Sequence, residues 1–283
     1  MKQGNIHVDL VKRRCPACKQ ITFDATCQSC GVRTVVERFC PQCRRIIQES
    51  NCPICGSATR SFEKQTINLQ ELVGQTCKRL GVSLPDLVKG VKGLTNETKT
   101  AEIIEKGLLR AKHDLSVFKD GTIRFDATNA PLTHFKPAEV SVSIDRLKEL
   151  GYRFDEHGEP LTNQEQICEL KIQDVIIPDS CARYFVHAAV FIDELLEKVY
   201  GLEPYYRLKN VENSVGHLII GLAPHTSVGI LGRIAGFTDL NLCYAHPLWH
   251  SAKRRDCDGD EDALMLALDP LINFSKVFLP VHI

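Results

Sequence analysis

The chain has 283 residues, 43% hydrophobic and 25% charged, with 35 Lys/Arg balanced by 35 Asp/Glu. This composition excludes a disordered polar chain, and no apolar run reaches the roughly 20 residues that a bilayer-spanning helix requires. No signal-length apolar stretch opens the sequence, so a globular cytoplasmic chain of about two or three domains is expected.

Four Cys-x-x-Cys knuckles come first: Cys15/Cys18, Cys27/Cys30, Cys40/Cys43 and Cys52/Cys55. A shift of 25 positions lays the first two on the last two, so the segment repeats one small module. Two thiolates of one tight turn bind a tetrahedral ion and a second knuckle closes the shell, which predicts two structural four-cysteine zinc-ribbon modules. Sequential pairing is the simplest arrangement, and a crossed one has compatible spacing. Disulfides would need an oxidising compartment. A module this short has little core, so the metal supplies folding energy and is not the catalyst. Residues 1–64 carry 11 Lys/Arg against 5 Asp/Glu. The excess suits a phosphate backbone, and equally a solvated surface or a contact with another subunit.

From about Phe62 to Leu115 the apolar spacing predicts helix, through Leu69, Leu72, Val73, Leu80, Leu84, Leu87 and Val88, then Ile103, Ile104, Leu108 and Leu109. Gly90 and Gly93 interrupt it. Short strands follow, with Lys119-Asp120-Gly121-Thr122 as a hairpin turn between Val117-Phe118 and Ile123-Arg124-Phe125. Ile172 to Ile177 reads as an apolar strand. Pro178-Asp179 opens an amphipathic helix through Phe185, Ala189, Ile192, Leu196 and Val199 that Gly201 closes. Gly216 to Gly221 is a predicted strand, Thr226 to Ala235 a short glycine-containing helix, and Asn241 to Ala245 a strand.

The run Lys253-Arg254-Arg255-Asp256-Cys257-Asp258-Gly259-Asp260-Glu261-Asp262 sets three carboxylates at alternate positions behind a basic stretch. Magnesium keeps much of its water and takes a few carboxylates plus phosphate oxygens, so the spacing suits a metal site for phosphoryl transfer. Gly259 lets the backbone bend so that Asp256, Asp258 and Asp260 converge. An acidic Asp/Gly run, taken alone, is also most often a solvated turn. A calcium loop of EF-hand type is excluded, because its glycine position holds Glu261 and its closing glutamate position holds Ala267. Ala263 to Leu268 is an apolar run that reads as core strand or buried helix start, and Asp269-Pro270 then begins a helix through Leu271, Phe274 and Phe278. Cys257 is expected to point into the core. Lys253, Arg254 and Arg255 are candidates for phosphate contact and equally ordinary solvated charges. His225 and His246 are candidates to border the site or to serve as hydrogen-bonded structural residues.

Six ordered blocks, at 89–94 (KGVKGL), 118–128 (FKDGTIRFDAT), 201–206 (GLEPYY), 221–227 (GLAPHTS), 243–247 (CYAHP) and 252–262 (AKRRDCDGDED), carry a family resemblance. The chain resembles part of the large subunit of the archaeal family D DNA polymerase, from the zinc region to its end. The resemblance implies an α+β chain with zinc modules at 1–62, a helical connector at 63–115, and a double-psi β-barrel of the two-barrel polymerase class at 116–283. It implies magnesium on Asp256, Asp258 and Asp260, DNA template-primer and deoxynucleotides as substrates, a small polymerase subunit as partner, and a nucleoid-associated place in the cytoplasm. The family usually has asparagine where this chain has Asp256; the resulting Asp-x-Asp-Gly-Asp resembles the RNA polymerase version, so metal binding is expected to survive, with tighter affinity from the added charge. The family is also credited with 3′–5′ exonuclease activity, usually placed in the small subunit, and no second metal constellation here supports it. The family's subunit is several times longer and its first barrel has no counterpart here, so the chain is expected to be incomplete.

Two functions stay open on the sequence. One is the metal-bearing half of a DNA polymerase active site. The other is a zinc-dependent nucleic-acid or subunit-binding module without catalysis of its own. An RNA-synthesising enzyme is a weaker third, raised only by Asp256.

Overall fold

The computed structural model describes residues 4–91, 99–226, 228–254, 256 and 259–273. They fall into two compact units: one runs to Lys112 and includes Lys119–Gly121, and the other comprises His113–Phe118 and Thr122–Asn273.

The first unit opens on strand β1 (Asn5–Val11), followed by the short strands β2 (Arg13–Arg14), β3 (Ile21–Thr22) and β4 (Val35–Val36), which form a sheet in the order β3-β2-β4. Strand β5 (Phe62–Asn68) returns antiparallel to β1 along its whole length, from Asn5 opposite Asn68 to Val11 opposite Phe62. The pattern predicted as helical from Phe62 therefore begins as a strand. Its cross-strand partner lies more than 50 positions upstream, beyond the reach of a local periodicity. The helix α1 (Leu69–Leu80) starts where Asn68 Oδ1 accepts the Glu71 N–H, and it stops at Gly81 in the left-handed region (φ 67°). Leu84 and Leu87 do not continue it. Pro85 disfavours helix at the residue before it, and both leucines stand exposed in a loop. Helix α2 (Ile104–Lys112) completes the unit, with Gly107 making room for the Val88 side chain.

The predicted hairpin at 117–125 is a turn closed by the Phe118 N–H on the Thr122 carbonyl, with strand only from Phe125, where the barrel of the second unit begins. The elements in chain order are β6 (Phe125–Pro131), β7 (His134–Phe135), α3 (Ile144–Glu149), β8 (Cys168–Glu169), β9 (Asp174–Pro178) and α4 (Asp179–Leu195). They continue with β10 (Leu218–Leu222), β11 (Gly229–Thr238), β12 (Leu242–Ala245), α5 (Pro247–Ala252), β13 (Glu261–Leu266) and α6 (Leu268–Asn273). Six strands close a barrel in the order β10-β11-β9-β12-β6-β13. The β11/β9 and β12/β6 pairs are parallel, and the other four are antiparallel. Closure leaves the barrel no unpaired edge.

Barrel residues Val175, Ile177, Ile219, Ile234, Ala245 and Leu264 are fully buried, and α4 covers the barrel with Phe185, Ala189, Ile192 and Leu195. The predicted helix at 179–200 is present, with a final π turn over Leu196–Tyr200 before Gly201 (φ 65°). From Gly229 onward the predicted helix at 226–235 is instead the strand β11. Its apolar residues at Ile230 and Ile234 imitate a helical spacing, whereas its glycines mark close approaches: a Cβ at Gly229 would meet Ile220, and one at Gly236 would meet Val140. The apolar run after the acidic loop resolves as strand β13, buried from Asp262 to Leu266. Asp269 lies inside the first turn of α6 and accepts the Ile123 N–H at 2.7 Å. The expected extension of α6 through Phe274 and Phe278 lies outside the described residues.

Candidate metal centres

Each Cys-x-x-Cys knuckle is built the same way. In the first, the Cys15 N–H donates to the Gln20 carbonyl and the Lys19 N–H returns to the Cys15 carbonyl, which places Lys19 in the left-handed region (φ 64°). The equivalent bonds form at Cys27, Cys40 and Cys52, with Gly31, Arg44 and Gly56 in the same conformation. The 25-residue repeat extends to side chains that spacing of cysteines alone does not single out. Arg13 Nε donates to Thr34 Oγ1, and Arg38 Nε donates to Thr59 Oγ1. Thr34 in turn caps the Asp24 carbonyl, as Thr59 caps that of Glu49. These threonines are buried and tie the two knuckles of one module together.

The sulfurs gather in two clusters, Cys15/Cys18/Cys27/Cys30 and Cys40/Cys43/Cys52/Cys55, and within each the four Sγ atoms lie within 4.8 Å of one another. The arrangement is sequential, so the crossed alternative is set aside. Contacts of 3.4 Å (Cys15 to Cys30), 3.5 Å (Cys18 to Cys27), 3.4 Å (Cys40 to Cys55) and 4.0 Å (Cys43 to Cys52) bracket the S···S edge of about 3.8 Å that four Zn–S bonds imply. The Cys18 backbone N–H lowers Cys15 to about 6, and Ser57 lowers Cys55 to about 6. The hydrogen bond with Cys55, reinforced by burial, pushes Cys43 up to about 12. In the first cluster Cys15 and Cys27 are lowered while Cys18 and Cys30 are raised, and in the second Cys55 is lowered while Cys43 is raised, a conflict between neighbouring thiols that a bound dication removes.

The acidic loop joins α5 to β13. His246 Nδ1 caps α5 by accepting the Leu248 N–H, and Trp249 seats the helix on the barrel. The indole lies in a slot cleared by Gly221 and Gly232: a Cβ would come within 2.3 Å of the ring at Gly221 and 3.2 Å at Gly232. Its Nε1–H donates to the Leu231 carbonyl at 2.9 Å. Beyond α5, Asp256 is exposed, Gly259 bends the backbone (φ 93°) as its place in the motif requires, and Asp260 is half-buried. Asn129 of β6 holds the far end of the loop. Its N–H donates to the Asp260 carbonyl at 2.9 Å, and its Oδ1 accepts the Gly259 N–H at 3.4 Å. Asn129 carries no motif signal of its own; the strand register opposite Cys243 puts it there. Its buried amide nitrogen has no hydrogen-bond partner.

The basic candidates divide. Lys253 is a correction: it is fully buried and donates to Asp262, so it does not face solvent as a phosphate contact would. Arg254 is exposed in the left-handed region (φ 61°), and so is His225 (φ 57°). Arg255, Cys257 and Asp258 lie outside the described residues.

The chain matches two family models: DNA polymerase II large subunit DP2, catalytic domain, over residues 81–283, and DNA polymerase II large subunit DP2, central domain, over residues 1–49. It is 52% identical over 280 residues to the DNA polymerase II large subunit of Archaeoglobus fulgidus, covering 99% of this chain and 24% of that protein. It is 54% identical over 279 residues to the protein of the same name from Methanothermobacter thermautotrophicus (99% of this chain, 23% of that protein). With that of Pyrococcus furiosus it shares 47% identity over 287 residues, 99% of this chain and 23% of the relative. The chain thus spans about a quarter of the length of these relatives. With near-complete coverage at this identity, and a catalytic-domain match across the barrel and its acidic loop, the chain belongs to the DNA polymerase II large subunit family.

Proposed function

We propose that this chain carries the magnesium-binding half of a DNA polymerase active site, with Asp256, Asp258 and Asp260 as the metal ligands. The observation that carries the proposal is an acidic loop bent at Gly259 and pinned by Asn129 to a closed six-stranded barrel, within the stretch that matches the family's catalytic domain. Two parallel strand pairs within the closed six-stranded barrel support the double-psi reading. Magnesium held there would neutralise charge on the reacting phosphates and bring the primer 3′-hydroxyl to the α-phosphorus of a deoxynucleotide. The new 3′ O–P bond forms as the α–β bridging P–O bond breaks; pyrophosphate departs and the hydroxyl proton passes to solvent. Asp256 precedes the Gly259 bend and Asp260 follows it, and Asn129 fixes the backbone of Asp260, so less of the loop has to be ordered when substrate arrives. The exposed Arg254 and His225, with Arg255, are the remaining candidates for phosphate contact.

The two four-cysteine clusters take zinc in this reading, since an all-thiolate set at tetrahedral spacing favours it and leaves no open position for chemistry. The working enzyme is the full-length large subunit with a small subunit, acting on primed DNA in the cytoplasm, with zinc modules at 1–62, a connector at 63–115 and the catalytic barrel half at 116–283. Among the described residues, no helix is long and apolar enough to cross a membrane. The test is primer extension by the full-length assembly carrying Asp258→Asn with Asp260→Asn. Extension should vanish with zinc content and subunit assembly unchanged, and parental extension by that variant would refute the proposal.

A further inference from the structure

Lys253 and Asp262 bracket the acidic loop and meet at its base, both fully buried. Lys253 Nζ donates to Asp262 Oδ2 and to His250 Nδ1, the latter at 3.1 Å. His250 Nε2 lies 3.1 Å from the Ala130 carbonyl and donates to it, so the ring is the neutral tautomer whose Nδ1 is free to accept from the ammonium. The same Nζ sits 3.9 Å from the centroid of the Trp249 ring, the ring that fills the slot between Gly221 and Gly232. One cation thereby joins the end of α5, the start of β13, strand β6 through Ala130, and strands β10 and β11 through Trp249.

Burying such a pair costs desolvation, and well-packed apolar residues of similar volume generally stabilise a fold as well or better. Asp262 even leaves its Oδ1 buried without a hydrogen bond. Stability therefore gives no account of an ion pair at this place, whereas geometry does: the pair ties the end of α5 to the start of β13, fixing both ends from which the acidic loop springs. We infer that the Lys253–Asp262 pair is a positioning device, holding the two arms of the acidic loop at the separation at which its carboxylates share a divalent cation. The inference rests on the polymerase reading above. Lys253 acts through the loop and does not touch the substrate.

The test uses the full-length large subunit assembled with its small subunit. Three variants are compared with the parent: Lys253→Met with Asp262→Leu, Asp262→Asn alone, and Asp260→Asn. The readouts are the magnesium concentration for half-maximal primer extension, manganese affinity by electron paramagnetic resonance, and the melting temperature. The apolar double variant should melt near the parent while its magnesium requirement rises and its manganese affinity falls by about 10- to 100-fold, with extension partly restored at high magnesium. Asp262→Asn should shift metal dependence the same way, which keeps the test open should the double variant fail to assemble. Unchanged magnesium and manganese dependence in these variants, with Asp260→Asn inactive, would overturn the positioning role while leaving the polymerase reading intact. Parental extension by Asp260→Asn would overturn both.

Discussion

Gly221 and Gly74 are both glycines inside regular structure, and their surroundings give them opposite meanings. A Cβ at Gly221 would press into the Trp249 ring, which is wedged over the barrel and has nowhere to move. Gly221→Ala is expected to destabilise the barrel by about 1–3 kcal/mol, read from urea unfolding. Gly74 lies within α1 with nothing within 4 Å of the added carbon, so Gly74→Ala should stabilise by about 0.5–1 kcal/mol. Equal losses from both would contradict this account of the Trp249 slot. At this scale the sequence is readable where chemistry demands a residue type at a fixed spacing, as at the eight knuckle cysteines and Gly259. It is silent where burial depends on a distant strand. Nothing in Lys253-Arg254 says that the lysine turns inward to Asp262 while the arginine stays exposed, and nothing around Asn129 says that it meets Gly259 from 130 positions away.

At the scale of elements, the two cysteine modules are separate closures, each with its own Arg–Thr–carbonyl brace. Cys27→Ser should therefore lower the zinc content of the chain from two ions to one, measured by native mass spectrometry, and leave the cluster at Cys40 to Cys55 loaded. Loss of both ions would refute independent closure. In the barrel, His217 stacks edge-on against Tyr206, and burial, together with the charge of Arg146, holds its pKa below the usual value. A histidine depressed on folding binds more protons when unfolded. Its contribution is present above the unfolded value of about 6.5 and is lost as pH falls through the folded value. Melting temperature should thus fall between pH 7.5 and pH 5, and His217→Gln should flatten that slope; an identical slope in the variant would exclude His217 as a source. Elements are legible in the sequence where their apolar faces repeat locally, as in α4 with Phe185, Ala189 and Ile192. Local pattern misleads at β5 and β11. In β5 the partner strand is remote, and in β11 the glycines that admit Ile220, Trp249 and Val140 look like helix breakers in a short helix.

Across the whole molecule, the described residues divide into a unit containing both cysteine clusters and a unit containing the barrel with its acidic loop. The cysteine segment has small cores, such as Ile47 with Cys40 and Cys52, so under the proposed zinc reading its fold depends on metal in a way the barrel's does not. A strong chelator should melt the knuckles while the near-ultraviolet signal of Trp249, buried in its barrel slot, persists. Loss of that signal with the metal would argue against separate support. The order of the six motif blocks makes the family legible from the sequence; barrel closure is not, because it depends on pairings such as β10 with β13 that join distant segments. Whether the loop from Asp256 to Asp260 holds the catalytic divalent cation can be read by replacing magnesium with ferrous iron in the full-length assembly and mapping hydroxyl-radical cleavage of the backbone. Scission should centre on residues 256–260, be suppressed by excess magnesium and be absent from Asp260→Asn. Scission concentrated elsewhere, or unchanged in that variant, would contradict metal binding by this loop.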